Sequence, residues 1–140
     1  MVARILVADD DRHAPRLVKS ALDRAGYETL VAGDGMDALA SIGRDRPDLL
    51  LLDLSMPNMD GFETLRRLKT APATCSIRVI IVSARDDDAD LTRAWQAGAD
   101  GYLVKPYAQG ELVSMVRTVL RDLPAGTEPS RLWPRRPWEE

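Results

Sequence analysis

The run Leu49-Leu50-Leu51-Leu52 followed by Asp53 constrains this chain more than any other stretch. Consecutive leucines without alternation describe a strand buried on both faces, as in the interior of a helix-covered parallel sheet. The run stops at a carboxylate, and Pro57 and the Asp60-Gly61 pair then turn the chain toward a helix. Chemistry in open α/β sheets gathers in the crevice beyond the carboxyl ends of the strands. Asp53 is therefore a candidate active-site carboxylate.

The rest of the chain repeats the same unit. Ile5-Leu6-Val7-Ala8 is a short apolar run ending in Asp9-Asp10-Asp11. A helical stripe of Leu17, Val18, Ala21, Leu22 and Ala25 follows, with Pro15 in its first turn and Gly26 at its close. Glu28-Thr29-Leu30-Val31-Ala32 is a more mixed strand, suited to a place near a sheet edge, and Asp34 caps a helix running to about Gly43. After Gly61 a helix carries Phe62, Leu65 and Leu68 and fades at Pro72. Arg78-Val79-Ile80-Ile81-Val82 is a buried strand ending at Ser83-Ala84, and the acidic run Asp86-Asp87-Asp88 suits the positive end of the next helix, which holds Leu91, Ala94 and Trp95. Gly101-Tyr102-Leu103-Val104 is a fifth strand, ending at Lys105-Pro106, and the last helix carries Leu112, Val113, Val116, Val119 and Leu120. Strict alternation of strands and helices predicts a parallel sheet with helices on both faces.

Composition agrees with one such domain. The chain has 140 residues, of which 45% are hydrophobic and 29% charged. A net charge of −3 gives no general attraction for nucleic acid or an anionic membrane. One cysteine, Cys75, excludes an intrachain disulfide and any cysteine-based metal cage. With neither a signal peptide nor a long apolar run, a cytoplasmic protein is the expectation. Residues 1–122 form the expected domain. From Leu123 onward Pro124, Gly126, Pro129, Pro134 and Pro137 forbid a regular element of any length, so residues 123–140 read as an extended or disordered tail or linker.

Parallel strands would bring Asp9, Asp10, Asp53, Ser83 and Lys105 to one rim. Three carboxylates together repel one another unless a cation joins them. All-oxygen donors with no cysteine or histidine in the set point to a hard divalent ion, Mg²⁺, which commonly uses one or two carboxylates plus a phosphate oxygen. The Lys105 ammonium suits a phosphoryl oxygen, Ser83 can donate a hydrogen bond to another, and a carboxylate can itself attack a phosphoryl donor. The pattern is that of a phosphoacceptor.

These residues resemble the receiver domain of two-component response regulators, the chemotaxis-type flavodoxin-like fold. The blocks that carry the resemblance are Val7-Ala8-Asp9-Asp10-Asp11, Asp53 through Gly61, Val82-Ser83-Ala84, Gly98 through Tyr102 and Lys105-Pro106, over about residues 3–122. It implies an α/β fold with a five-stranded parallel sheet in the order 2-1-3-4-5. It implies phosphorylation of Asp53 by a histidine kinase or phosphotransfer protein. Mg²⁺ would be held by Asp10, Asp53 and the Ser55 backbone carbonyl, with Asp9 supporting the ligands rather than touching the ion. It implies a cis Lys105-Pro106 bond and a switch made of Ser83 and Tyr102, in which the hydroxyl moves toward the phosphoryl group and the ring moves inward behind it. The surface formed by the fourth helix, fifth strand and fifth helix is then expected to bind a downstream protein or output domain, or to dimerise, with no membrane and no direct nucleic-acid contact by this domain. Trp95, Tyr102 and Tyr107 are expected on or near it.

Each residue taken alone has a plainer reading. The early aspartates can be helix caps, Asp53 a turn residue, Ser83 a loop hydroxyl and Lys105 a solvated lysine. His13 reads as a surface residue, and Cys75 has no activating neighbours. A receiver that serves only as a protein-interaction scaffold is one alternative. Another is a Mg²⁺-dependent phosphatase of the haloacid-dehalogenase type, which needs a second aspartate where this chain has Ser55. In the tail, Arg131, Trp133, Arg135, Arg136 and Trp138 could stack on nucleic acid, but three arginines offset by three glutamates make a weak electrostatic case.

Overall fold

The computed structural model describes residues 2–9, 14–54 and 61–139. Strands β1 (Arg4–Ala8), β2 (Glu28–Ala32), β3 (Leu49–Asp53), β4 (Arg78–Ser83) and β5 (Gly101–Val104) alternate with helices α1 (Ala14–Arg24), α2 (Gly35–Asp45), α3 (Gly61–Thr70), α4 (Asp88–Gln96) and α5 (Gln109–Leu120). The strands form one sheet in the order β2-β1-β3-β4-β5, and every pair is parallel. This is the flavodoxin-like order that the resemblance implied, with β2 at one edge and β5 at the other.

The leucine strand is buried along its whole length because successive side chains enter different cores. Leu49 and Leu51 join Ile5, Val7, Ile80 and Leu103 beneath α1 and α5, whose Val18, Leu22, Leu112 and Val116 close that side. Leu50 and Leu52 join Leu6, Ile81 and Tyr102 on the other face, against Ala38 and Ile42 of α2, Leu65 and Leu68 of α3, and Leu91 and Ala94 of α4. Burying each leucine is worth about 1.5–3 kcal/mol, so the strand and both helical layers are mutually dependent.

The elements depart from the sequence reading in small ways. Helix α2 runs past Gly43 to Asp45, and Arg46 takes the left-handed cap position at φ 47°, donating its N–H to the Ile42 carbonyl. Pro47 forces the exit that follows. Leu17 is 62% exposed rather than part of the buried stripe of α1. It lines a groove with Val18, Pro106, Tyr107, Gln109 and Leu112.

Residues 123–139 contain no helix or strand, yet they lie against the domain. Ser130 shares a short hydroxyl contact with Ser114 and donates its backbone N–H to Thr118 Oγ1 at 3.0 Å. The Leu132 carbonyl accepts the Tyr102 N–H at 2.8 Å on the open edge of β5. Trp133 is only 7% exposed and belongs to the same core as Tyr102.

Gly61 opens α3 directly against Leu54, the residue that follows β3. A Cβ there would stand 2.7 Å from the Leu54 Cα and 2.8 Å from its Cδ2, and a backbone atom at that distance cannot be accommodated without moving the end of β3. Gly61→Ala is expected to cost about 1–3 kcal/mol, read as a lower urea midpoint at unchanged slope.

Candidate functional site

The parallel register determines which side chains meet. Ala8 is level with Leu52 and Asp53 with Val82, so Asp9 and Asp53 stand side by side where β1 and β3 end. Val82 is level with Leu103 and Ser83 with Val104, which brings Ser83 and Lys105 to the same rim. Backbone bonds tie the ends together: Asp9 N–H to the Ala32 carbonyl at 3.1 Å, Leu54 N–H to the Val82 carbonyl at 3.4 Å, and Lys105 N–H to the Ser83 carbonyl at 2.8 Å. The Lys105-Pro106 bond is cis.

Lys105 organises the charges. Its Nζ donates to Asp53 Oδ2 at 2.6 Å and lies 3.8 Å from Asp9 Oδ2. The side chains of Asp53 and Asp9 are 7% and 11% exposed, and that of Lys105 33%. Burial works against the ammonium, but the hydrogen bond and charge of Asp53, with the charge of Asp9, outweigh it and hold the Lys105 pKa above its ordinary value. Tyr107 borders the site. Burial raises its phenol pKa, Lys105 opposes the rise, and Asp9 and Asp53 add to it.

Ser83, 2% exposed, faces away from bulk water. Its Oγ accepts the Arg85 N–H at 3.0 Å, and the Arg85 carbonyl accepts the Tyr102 hydroxyl at 2.5 Å. Tyr102 is 1% exposed and sits inward. The hydroxyls of Ser83 and Tyr102 are thus joined through one residue's backbone. The Arg85 guanidinium reaches Asp90, its Nε 3.0 Å from Oδ2. Asp90 is 7% exposed, and burial followed by the neighbouring Asp87 pushes its carboxyl pKa up. The sequence reading did not single out Asp90. Its only signal was an acidic residue on the inward side of α4, three positions beyond Asp87.

Two expected ligands, Asp10 and the Ser55 carbonyl, lie outside the described residues, as does His13. The described donors are carboxylate oxygens, and one ammonium cannot neutralise both of them. That donor set suits a hard divalent ion. Tyr102 lies in the core beneath α4, whereas Tyr107 lies on the α1–α5 side beside the groove. Trp95 is 46% exposed and stacks on Trp138, ring centroids 4.9 Å apart. Cys75 is exposed. Among the described residues no helix is long and apolar enough to cross a membrane.

Two outcomes follow from these charges. Lys105→Met would leave two largely buried carboxylates facing each other. A buried pair broken in this way costs about 3–5 kcal/mol, and the partial exposure of Lys105 reduces the expected loss to roughly 1–3 kcal/mol. Urea unfolding reads it, and the double variant Asp53→Asn/Lys105→Met is expected to recover part of the loss. The second outcome concerns pH. Tyr27, bonded to Asp122 at 2.9 Å, has its pKa raised to about 12, chiefly by burial, and Tyr102, Tyr107 and Lys105 are also raised. A group that holds its proton more tightly when folded contributes stability in full below its ordinary pKa and loses it as pH rises through the folded value. Stability is therefore expected to decline from about pH 10 toward pH 12, tracking tyrosinate absorbance in denaturation series at fixed ionic strength.

Residues 5–117 match the family model described as the response regulator receiver domain. Response regulator MprA of Mycobacterium leprae is 40% identical over 118 residues, 84% of this chain and 51% of that protein. Its namesake in Mycobacterium tuberculosis (strain ATCC 25177 / H37Ra) is 40% identical over 121 residues, 86% of this chain and 52% of that protein. The chain thus spans about half the length of these curated relatives. Among solved structures, the chemotaxis protein CheY4 of Vibrio cholerae superposes with a TM-score of 0.81 at 28% identity, covering 85% of this chain and 99% of that one. The Francisella response regulator 1452 receiver domain gives a TM-score of 0.79 at 32% identity, covering 86% and 98%. With its strand order, its rim of charged strand ends and these likenesses together, the chain belongs to the response regulator receiver domain family.

Proposed function

We propose that Asp53 accepts a phosphoryl group from a histidine kinase or phosphotransfer protein and that the modification changes how the α4–β5–α5 face engages a downstream protein or output domain. The observation that carries this reading is the Lys105 ammonium 2.6 Å from Asp53 Oδ2, with Asp9 beside them at the strand ends.

The chemistry asks little beyond positioning. An Asp53 carboxylate oxygen attacks phosphorus, the bond from phosphorus to the donor nitrogen breaks, and the imidazole leaves with that electron pair. As the acyl phosphate forms, the Asp53 carboxylate loses its own charge, so Lys105 transfers its hydrogen bond to a phosphoryl oxygen. Ser83, whose Oγ already accepts the Arg85 N–H, has its own proton to donate to a second oxygen. Asp53, Asp10 and the Ser55 carbonyl would hold Mg²⁺, with the Asp9 carboxylate supporting the ligands. When bound, the ion supplies charge neutralisation on the phosphoryl oxygens. The groove lined by Leu17, Pro106 and Tyr107 borders Lys105 and leaves an approach for the donor.

Propagation follows the chain of contacts already described. A pull on Ser83 acts on the Arg85 backbone, and that backbone holds the Tyr102 hydroxyl at 2.5 Å. Ser83 moving toward the phosphoryl group and Tyr102 staying inward form one linked state.

Intact mass after incubation with acetyl phosphate and Mg²⁺ tests the reading. A single phosphoryl increment is expected, lost without Mg²⁺ and absent in Asp53→Asn. Lys105→Ala should slow its appearance by roughly 100-fold, as removal of one donor to a developing charge does elsewhere. An increment that persists in Asp53→Asn would sink the assignment. No increment, together with no beryllofluoride binding, would instead favour a phosphorylation-independent scaffold.

A further inference from the structure

The tail places its anchors on the face that the proposed switch controls. Trp133 packs on Tyr102 with ring centroids 6.1 Å apart, and Trp138 sits edge-on to Trp133 and stacks on Trp95 of α4, each at 4.9 Å. Arg135 donates to Asp88 Oδ1 at 2.7 Å and to the Asp86 carbonyl at 2.5 Å, which pairs the acidic start of α4 with the tail. The Leu132 carbonyl takes the Tyr102 N–H at 2.8 Å, and Gly101 allows that approach, since a Cβ there would stand 3.1 Å from the same oxygen. Ser130 fastens the segment to Ser114 and Thr118 of α5. One short stretch thus touches α4, β5 and α5 together.

We propose that residues 130–138 are an intramolecular ligand of the α4–β5–α5 face, anchored by Trp133 and Arg135, and that their docking and phosphoryl binding at Asp53 favour each other. The link is Tyr102. With the tail docked, Leu132 holds its backbone and Trp133 covers its ring, so the ring cannot swing outward to the surface. Its hydroxyl stays on the Arg85 carbonyl, and Arg85 stays on Ser83. This deepens the proposed function and rests on it, because the inward Tyr102 is taken there as the partner state of the phosphorylated site. Linkage makes the effect reciprocal: whatever factor the tail adds to phosphoryl affinity, the phosphoryl group adds to tail docking.

All three tryptophans of the chain, Trp95, Trp133 and Trp138, lie in this one cluster, so selectively excited tryptophan fluorescence reports on it alone. The experiment uses the full chain with Mg²⁺ and beryllofluoride as the phosphoryl mimic. Acrylamide quenching follows the tail, and fluorine NMR of bound beryllofluoride gives its affinity in the unaltered chain, in Trp133→Ala, in Arg135→Ser and in Asp53→Asn. Arg135→Ser weakens the tail's docking without opening the core, which keeps the test decisive if Trp133→Ala folds poorly. The expected result is weaker quenching when beryllofluoride binds, and a loss of beryllofluoride affinity of about fivefold or more in both tail variants. Unchanged or tighter binding in Arg135→Ser, with quenching indifferent to beryllofluoride, would overturn the tail's role while leaving the phosphoacceptor reading intact. Binding that is absent from the unaltered chain, or equal in Asp53→Asn, would overturn both.

Discussion

The ion pair between Lys105 and Asp53 is the interaction on which the arrangement depends. Only 7% of the Asp53 side chain is exposed, and the Lys105 ammonium stands 2.6 Å from it as its counter-charge. Asp9 adds a second negative charge 3.8 Å from the same nitrogen, so these three groups carry one more negative than positive charge. That imbalance makes the rim receptive to a divalent cation, and it is maintained by geometry rather than by local sequence. Asp9, Asp53 and Lys105 are far apart along the chain and meet only because β1, β3 and β5 run parallel in one register. The apolar layers that fix the register are therefore as much a part of the chemistry as the charged atoms.

The sheet also separates two tasks. Alternation along β5 sends Tyr102 into the core under α4 and Leu103 into the core under α1 and α5, and Lys105 emerges at the rim one residue after the strand ends. The rim faces the α1–α5 groove on the side where Lys105 and Tyr107 lie, and the hydroxyl path from Ser83 through Arg85 leads to the opposite face. The groove and the hydroxyl path therefore leave the rim on opposite faces of the sheet. Both hydroxyls on that path are buried, Ser83 at 2% and Tyr102 at 1% exposure, and the backbone of Arg85 is what joins them.

Much of this was legible in the sequence because it is written in repeated, local signals. Four leucines bounded by an aspartate specified a two-sided strand, and the alternation of strand and helix specified a parallel sheet. The polar strand ends at Asp9, Asp53, Ser83 and Lys105 were visible because each terminates an apolar run. Less legible were features that depend on position around an element. Leu17 matches a helical stripe by spacing but lies at its outer margin, where neither core reaches. Asp90 looks like one more surface acid of α4, and only the fold turns it inward toward Arg85. The end of α2 was placed two residues early because Gly43 is a common stop signal, whereas Arg46 supplies the left-handed cap before Pro47.

The tail was the least legible part, for a physical reason. Periodicity reports elements that bury a continuous face, and the many prolines of residues 123–139 exclude one. Docking here relies on isolated anchors: one carbonyl on the edge of β5, one buried indole and one guanidinium on a carboxylate and a backbone carbonyl. None carries a sequence pattern, and each is weak alone. They suffice because the segment is tethered. A short linker keeps its anchors at an effective concentration near the millimolar range, so a partner in trans at micromolar concentration must bind the same face roughly a thousandfold better to displace it. The open edge of β5, otherwise a template for pairing with another chain, is covered by the same contact. A receiver face closed in this way answers to its own tail before it answers to any other protein.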